Sequence, residues 1–196
     1  IKVGCASLGG WDPYGPEHTI TRSQDHVVYE IDNQPALKVY KDALGEEAKN
    51  LPASGLLFPL SVLSVHRSET SVVRTILSVD EEAQTLTFAG TMPQGARTQF
   101  MQANFDRLIE GAKNAAKISL RNKTQNPELA ILISCVGRKL ILKERVVDEV
   151  LAVQSVLGHT MPLTGFYSYG EISPFVWGTK CELNNQTMTI TTLSEK

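Results

Sequence analysis

The segment Leu129–Cys135 constrains the fold of this chain more than any other feature, because it is apolar except for Ser134. Its length suits a β-strand, and a strand without polar alternation is typically buried on both faces. We therefore expect an inner strand of a sheet, with other layers packed against both of its faces. No apolar run approaches the about 20 residues of a membrane-spanning helix, so the sequence predicts no membrane insertion.

Helical and strand-like patterns alternate along the rest of the chain. Apolar residues recur every three or four positions over Pro35–Gly45, Thr98–Leu120 and Val146–Leu157, which predicts three amphipathic helices. Strand-like segments lie at Lys2–Ser7, Val27–Ile31, Leu56–Val65, Val72–Val79, Thr85–Ala89, Leu163–Ile172 and Cys181–Thr192. The order is approximately βαβββαβαββ. It predicts an α+β protein with a mainly antiparallel sheet and helices packed on it.

The first 25 residues differ from the remainder. Glycines and prolines surround two aromatic residues between Gly9 and Pro16, which predicts a loop anchored by large side chains. From residue 26 to residue 196 the strand and helix pattern continues without a linker. We therefore expect residues 26–196 to form one domain, with residues 1–25 lying along it as the end of a preceding unit.

Charge and cysteine content exclude several classes of function. The chain has 19 Lys and Arg against 21 Asp and Glu, so it lacks the positive field that binds nucleic acid. An odd number of cysteines, three, favours a reducing compartment, and we expect a cytoplasmic protein. The four histidines have no metal-ligand spacing with the cysteines, and no nucleotide-binding motif is present. The sequence predicts neither a metal nor a cofactor.

The first candidate for chemistry is the segment from Ser134 to Arg138. A thiol at Cys135, at the end of a strand and near Arg138, could have a lowered pKa and act as a nucleophile. The alternative is a buried structural thiol, because free cysteine is among the most buried residue types. The sequence offers no acid or base partner near Cys135, so we expect a structural or pocket-lining role.

The second candidate is the aromatic segment Gly165–Glu171. In a continuous strand, Tyr167, Tyr169 and Glu171 would share one face, and a carboxylate beside two phenols can bind an ammonium group. The competing interpretation is a solvated sheet face.

The third candidate is the polar run that ends at Thr187. We expect Asn185 and Thr187 to face the Tyr167 side across antiparallel strands, with Arg138 binding the carboxylate of the same ligand. The competing interpretation is a turn that leads into an edge strand.

These segments, taken together, resemble the FIST sensory family. The matching stretches are GWDPYGPEHTITRS (10–23), PALKVYKDALGE (35–46), LISCVGRKLIL (132–142), GFYSYGEISPF (165–175) and CELNNQTMTITTLSE (181–195). By this resemblance, residues 1–25 are the tail of an N-terminal FIST half and residues 26–196 are the C-terminal FIST domain. The family pattern leads us to expect His before the Asn-Gln-Thr run, where this chain has Asn184.

The resemblance implies a cytoplasmic input module for signal transduction that binds a small ligand and acts on a signalling output protein. Amino acids are suggested as ligands for the family, and no enzymatic reaction is assigned to it. Two other hypotheses remain open. One is an enzyme that uses Cys135 or Glu171, and the other is a protein-interaction module.

Overall fold

The computed structural model describes residues 1–63, 71–121, 127–174 and 178–195. The strands and helices in chain order are β1 (Lys2–Leu8), β2 (Asp12–Gln24), β3 (Val27–Ile31), β4 (Gln34–Pro35), α1 (Ala36–Leu44), β5 (Leu60–Leu63), β6 (Ser71–Arg74), β7 (Ile76–Asp80), β8 (Thr85–Phe88), β9 (Arg97–Gln102), α2 (Phe105–Ser119), β10 (Leu129–Cys135), α3 (Val136–Leu142), α4 (Val146–Leu157), β11 (Leu163–Ser168), β12 (Glu171–Ser173), β13 (Glu182–Asn184) and β14 (Met188–Ser194). The predicted α+β class is confirmed. No helix within the described ranges is long and apolar enough to cross a membrane.

The chain divides into two compact units. One unit combines Ile1–Trp11 with Asn104–Lys196, and the other is Asp12–Ala103. The predicted domain boundary after residue 25 stays a prediction. In the structure the opening strand β1 is an integral part of the first unit, because its whole length pairs with β14.

The first unit is built on a four-stranded mixed sheet in the order β1-β14-β10-β11. Strand β14 is antiparallel to both of its neighbours, whereas β10 and β11 run parallel. One face of this sheet packs against α2 and α4. Its buried core consists of Ala6, Ala112, Ala115, Ala116, Ala130, Leu132, Val153, Met161, Met188 and Ile190. The run of alanines lets the helix lie close to the strands.

The opposite face of this sheet is only partly covered, which corrects the expectation that β10 is buried on both faces. Ile131 and Ile133 on this face are half-buried, whereas Ala130 and Leu132 on the helix face are buried. The apolar sequence of β10 therefore does not show that both of its faces are buried. Both faces carry large aliphatic side chains, but among the described residues helices α2 and α4 pack on the face of Ala130 and Leu132.

The second unit holds a strongly bent antiparallel sheet in the order β6-β5-β9-β2-β3-β8-β7, with β4 paired to β3. Helix α1 covers it, and the three positions Leu37, Tyr40 and Leu44 are buried in the core as the helical spacing predicts. The hydroxyl of Tyr40 donates a hydrogen bond to the carbonyl oxygen of Phe58 at 2.5 Å. This bond satisfies the polar end of a side chain whose ring lies in the core.

Four predicted elements of the chain are wrong at their boundaries. The predicted helix Thr98–Leu120 begins only after Asn104, whose side chain accepts hydrogen bonds from the backbone N–H groups of Asp106 and Arg107 and so caps α2. Residues 97–102 instead form β9 between β2 and β5. The predicted loop Gly9–Pro16 is largely the start of the long strand β2.

The predicted strand Val72–Val79 is two strands, because the chain leaves β6 at Arg74 and enters β7 at Ile76. The two strands lie at opposite ends of the sheet order, and Leu77 is exposed. The predicted strand Leu56–Val65 is shorter at its start, since Ala53–Leu56 is a 3-10 helix and β5 covers Leu60–Leu63. Its last two residues, 64 and 65, lie outside the described residues.

Candidate functional site

The polar residues of the first unit gather where the parallel strands β10 and β11 end. Cys135 and Ser168 are register partners at the carboxyl ends of these strands. Helix α3 follows Cys135 directly, and a short turn carries the chain from Ser168 into β12. Side chains that follow parallel strands meet at one edge of a sheet, which is a common location for ligand sites. We call the set Cys135, Ser168, Glu171, Asn185, Gln186 and Thr187 the carboxyl-end cluster.

Glu171 is the charged residue of this cluster, and only 3% of its surface is exposed. Its Oε1 atom accepts a hydrogen bond from the Ser168 hydroxyl at 2.5 Å, and its Oε2 atom accepts one from the Thr187 hydroxyl at 2.9 Å. Burial raises the pKa of this carboxyl, although these two hydroxyls, the Thr187 backbone and the charge of Arg138 act in the opposite direction. The result is a buried carboxylate whose charge is costly to maintain.

A chain of hydroxyl groups connects Glu171 to the first strand of the unit. Thr187 accepts a hydrogen bond from Ser7 at 3.0 Å, and Ser7 shares another with Thr189 at 2.8 Å. Thr189 in turn lies 3.4 Å from the hydroxyl of Ser173, to which the Asn184 amide donates at 3.1 Å. The network joins β1, β12, β13 and β14, so a change at Glu171 can alter hydrogen bonds on all four strands.

Unpaired polar atoms concentrate next to this network. Within the described ranges, four of the six buried side-chain polar atoms without a hydrogen-bond partner belong to Asn184, Asn185 and Gln186. They are the Oδ1 atoms of both asparagines and the Oε1 and Nε2 atoms of Gln186. Leaving a buried polar atom unpaired costs about 1–3 kcal/mol, so three such residues in a row require an explanation.

The backbone holds Gln186 in place despite its unpaired side chain. Its φ of 60° lies in the left-handed region, which few residues other than glycine adopt. The carbonyl oxygen of Gln186 accepts hydrogen bonds from the Trp11 indole at 3.1 Å and from Arg138 at 3.3 Å. Its side chain lies against Gly137, where a Cβ atom would come within 2.6 Å of the amide nitrogen. The local structure thus positions the amide at a cost in backbone strain.

Arg138 does not lie where the sequence analysis expected it to meet a ligand. Its side chain is fully buried and forms an ion pair with the fully buried Glu149 at 2.5 Å. The remaining donors reach the carbonyl oxygens of Gly9, Leu108 and Gln186, so all five guanidinium N–H groups are used inside the unit. Arg138 therefore ties the unit together and has no free donor for a ligand carboxylate.

Cys135 is buried in the cluster, and its environment favours the neutral thiol. Burial raises the pKa of the thiol and the charge of Glu171 raises it further, whereas backbone hydrogen bonds from Gln186 and Gly137 act in the opposite direction. The nucleophilic form of cysteine is the thiolate. This arrangement supports the structural or pocket-lining role that the sequence predicts for Cys135.

The expected shared face of Tyr167, Tyr169 and Glu171 is wrong, because the strand is interrupted. The chain leaves β11 at Ser168 and turns before β12 begins at Glu171. Tyr169 lies in this turn with 89% of its surface exposed, while Tyr167 lines a cavity on the helix face. Strand β10 lies between β11 and β14, so Tyr167 does not face Thr187 across neighbouring strands. The antiparallel pairing expected between the two segments occurs only between β12 and β13.

Of the seven residues predicted from the sequence, the structure brings together Cys135, Glu171, Asn185 and Thr187. Arg138 lies nearby but is used structurally, and the two tyrosines lie elsewhere. The sequence analysis missed Ser168, Gln186 and the ion-pair partner Glu149 as individual residues. The first two lie inside segments already singled out, whereas Glu149 lies on α4 and carried no local signal.

A pH-dependent stability follows from the buried carboxyl of Glu171. Because its pKa in the folded state is raised above the ordinary 4.5, protonation stabilises the fold fully below pH 4.5, and this contribution is lost as the pH rises through the folded-state pKa. The variant Glu171→Gln has no ionisable group at this position, so its stability is not lowered by ionisation there. We expect it to unfold at a higher urea concentration than the parent chain at pH 8, with a smaller difference at pH 4.

The exposed Glu144 provides the matched control, because Glu144→Gln removes a carboxylate that is not buried. Urea midpoints measured for the three proteins from pH 4 to pH 8 test this expectation. A gain from Glu171→Gln that is equal at both pH values, or matched by Glu144→Gln, would contradict it.

Comparison with known proteins places the chain in a family. The profile of the FIST C domain matches residues 36–174, and the profile of the FIST N domain matches residues 1–34. No curated protein and no solved structure matches the chain. The FIST C match includes the ends of β10 and β11 and Glu171, and it covers more than half of the chain. The chain therefore belongs to the FIST family, whose domains are generally sensory domains in signal transduction.

Proposed function

We propose that this chain is the ligand-binding part of a sensory protein and that the carboxyl-end cluster, together with the adjoining Asn184, is its ligand site. The observation that carries the proposal is the row of buried, unpaired amide atoms at Asn184, Asn185 and Gln186. A bound molecule that hydrogen-bonds these atoms would remove the cost of leaving them unpaired. Binding energy would then come from groups that are already held in position.

The unpaired atoms define the chemistry of the ligand. Three of them are side-chain carbonyl oxygens, and one of these belongs to Asn184, the register partner of Glu171, so the site favours a positively charged donor group. The fourth, Nε2 of Gln186, is a donor suited to an acceptor group of the same molecule. The ammonium and carboxylate of a free amino acid have these properties. Gln186 takes the role that the sequence analysis gave to Arg138.

The turn at Tyr169 and Gly170 is the proposed entrance. Gly170 lies over the cluster, because a Cβ atom there would come within 3.5 Å of the Asn185 amide nitrogen and 3.0 Å of Leu183 Cδ1. Tyr169 itself is almost completely exposed. Opening of this turn gives a ligand access to Asn185 and Glu171.

The same turn offers a route to an output protein. The side chains of Tyr169 and Ile172 are 89% and 77% exposed on either side of buried Glu171. A ligand that contacts Glu171 would change the position of these two apolar groups. A partner that binds Tyr169 and Ile172 could then distinguish the occupied state from the empty one.

The test begins with a thermal-shift screen of free amino acids on the whole chain. A ligand at 100 times its dissociation constant should add about 2.7 kcal/mol to the free energy of unfolding. Calorimetric titration of the best ligand then compares the parent chain with Glu171→Gln. Loss of the charged partner should weaken binding by about 1.5–3 kcal/mol.

The exposed Glu144→Gln variant serves again as the matched control and should bind like the parent chain. Because the ammonium group favours ionised Glu171, affinity should also rise with pH through the raised pKa of this carboxyl. Equal affinities for the parent chain and Glu171→Gln, at every pH, would remove the cluster from the ligand site.

A further inference from the structure

A cavity of about 440 Å³ lies between α4 and the edge strand β11, apart from the six residues of the carboxyl-end cluster. Its lining residues come from β10, β11, β14 and α4 and are Leu132, Ser134, Val150, Leu163, Thr164, Gly165, Phe166, Tyr167 and Met188. This volume falls within the range of small-molecule sites, about 300–1,000 Å³. We call it the α4–β11 cavity.

The walls of the α4–β11 cavity are mainly apolar. Leu132 and Met188 are buried members of the core beneath the helices, and Val150 contributes from α4. On β11, Gly165 has no side chain between Leu163 and Tyr167, so the wall there consists of backbone. A flat apolar or aromatic body suits such a space better than a branched polar molecule.

A few polar groups lie at defined positions around this apolar space. The buried Ser134 hydroxyl donates to Glu149 Oε2 at 3.2 Å, which leaves its oxygen lone pairs as acceptors. Tyr167 adds a phenol. The exposed Lys139 places its ammonium 4.9 Å from the centre of the Tyr167 ring.

The charges around the cavity favour an anion at its mouth. None of the nine lining residues carries a formal charge, and the buried Arg138–Glu149 ion pair lies behind Ser134. The exposed ammonium of Lys139 supplies positive charge beside Tyr167, which is 36% exposed. An anionic group in this position would gain a charge-assisted contact without being buried.

We propose that the α4–β11 cavity binds a compact aromatic carboxylate, with its ring against Leu132, Val150 and Met188 and its carboxylate at Lys139. This second site is independent of the amino-acid site proposed above and stands on different residues. It would let one sensory unit respond to two small molecules of different chemistry.

The experiment uses 1-naphthoate and its neutral isostere 1-naphthamide as probes of the whole chain. Titrations followed by two-dimensional amide NMR give the affinity and locate the probe through the shifts of Ser134, Gly165 and neighbouring amides. We expect naphthoate to bind about tenfold more tightly than naphthamide, the scale of one charge-assisted contact. In the variant Lys139→Gln this difference should disappear.

Two tryptophan substitutions on α4 separate the cavity from the general surface. Val150 lines the cavity and Val147 does not, although both are exposed apolar residues of the same helix. Val150→Trp should fill the space and reduce naphthoate binding by at least about tenfold, whereas Val147→Trp should leave it unchanged.

Three results would overturn the proposal. The first is the absence of saturable binding of naphthoate with shifts at Ser134 and Gly165. The second is equal loss in Val147→Trp and Val150→Trp, which would indicate non-specific adsorption to apolar surface. The third is a set of shifts at the cavity that depends on protein concentration without any probe, which would show that a second copy of the chain occupies this surface.

Discussion

Replacing Arg138 with methionine is expected to lower the free energy of unfolding of the first unit by about 3–5 kcal/mol, because the change leaves Glu149 as a buried charge without its partner. It also removes donors from the carbonyl oxygens of Gly9 and Leu108, which lie on different segments of the unit. Urea unfolding followed by circular dichroism measures the effect.

Two further variants distinguish the ion pair from a general loss of packing. Arg145→Met removes an arginine that also pairs with two carboxylates, those of Asp106 and Asp148, but at the surface, and should change the midpoint little. The double variant Arg138→Met, Glu149→Met removes both charges and should be more stable than Arg138→Met alone. Strictly additive losses in the double variant would contradict the account of a mutually dependent buried pair.

Replacing Gly165 with alanine is expected to destabilise the unit by about 3 kcal/mol, because the two parallel strands approach too closely for a side chain there. A Cβ atom at this position would lie 1.8 Å from the carbonyl oxygen of Leu132, the register partner of Gly165. Backbone atoms cannot move aside as a flexible side chain can, so β11 must shift or separate from β10. Hydrogen exchange of the amides in both strands measures this.

The neighbouring substitution Thr164→Ala tests the same strand without the clash, since Thr164 is exposed and alanine only shortens its side chain. A change within about 0.5 kcal/mol is expected there. The expectation for Gly165→Ala is contradicted if the amide hydrogens of β10 and β11 exchange no faster in this variant than in Thr164→Ala. Its success would also explain why the ends of β10 and β11, which position Cys135 and Ser168, depend on a glycine.

The sequence predicts correctly those elements in which apolar residues recur with a clear period and a residue such as glycine marks the end. Helix α1 has its apolar stripe at Leu37, Tyr40 and Leu44 and ends before Gly45, so its pattern and its boundary agree. The segment Thr98–Gln102 lacked such agreement. Its apolar residues fit a helical period, yet pairing on both sides by β2 and β5 makes it a strand, and such pairing joins residues far apart in sequence.

The candidate site shows the same division. The polar and aromatic segments that contain Cys135, Glu171, Asn185 and Thr187 are visible in the sequence because their composition is unusual for core strands. Their arrangement depended on the break after Ser168, which turns Glu171 inward and leaves Tyr169 exposed. The alternation of side chains along one continuous strand could not predict this. A turn within the segment changes the face on which all later side chains lie.

The sequence by itself determined the α+β class, the FIST family and the segments that carry the polar chemistry, because each follows from local patterns and residue types. Only the tertiary structure decided what Arg138 does. Its partner Glu149 lies on another helix, and the carbonyl groups that accept its remaining hydrogen bonds come from three separate parts of the unit. A buried arginine and a ligand-binding arginine have the same side chain, and the difference is where its donors find partners. That is a property of the packed fold, since desolvation and pairing exist only once the distant segments have come together.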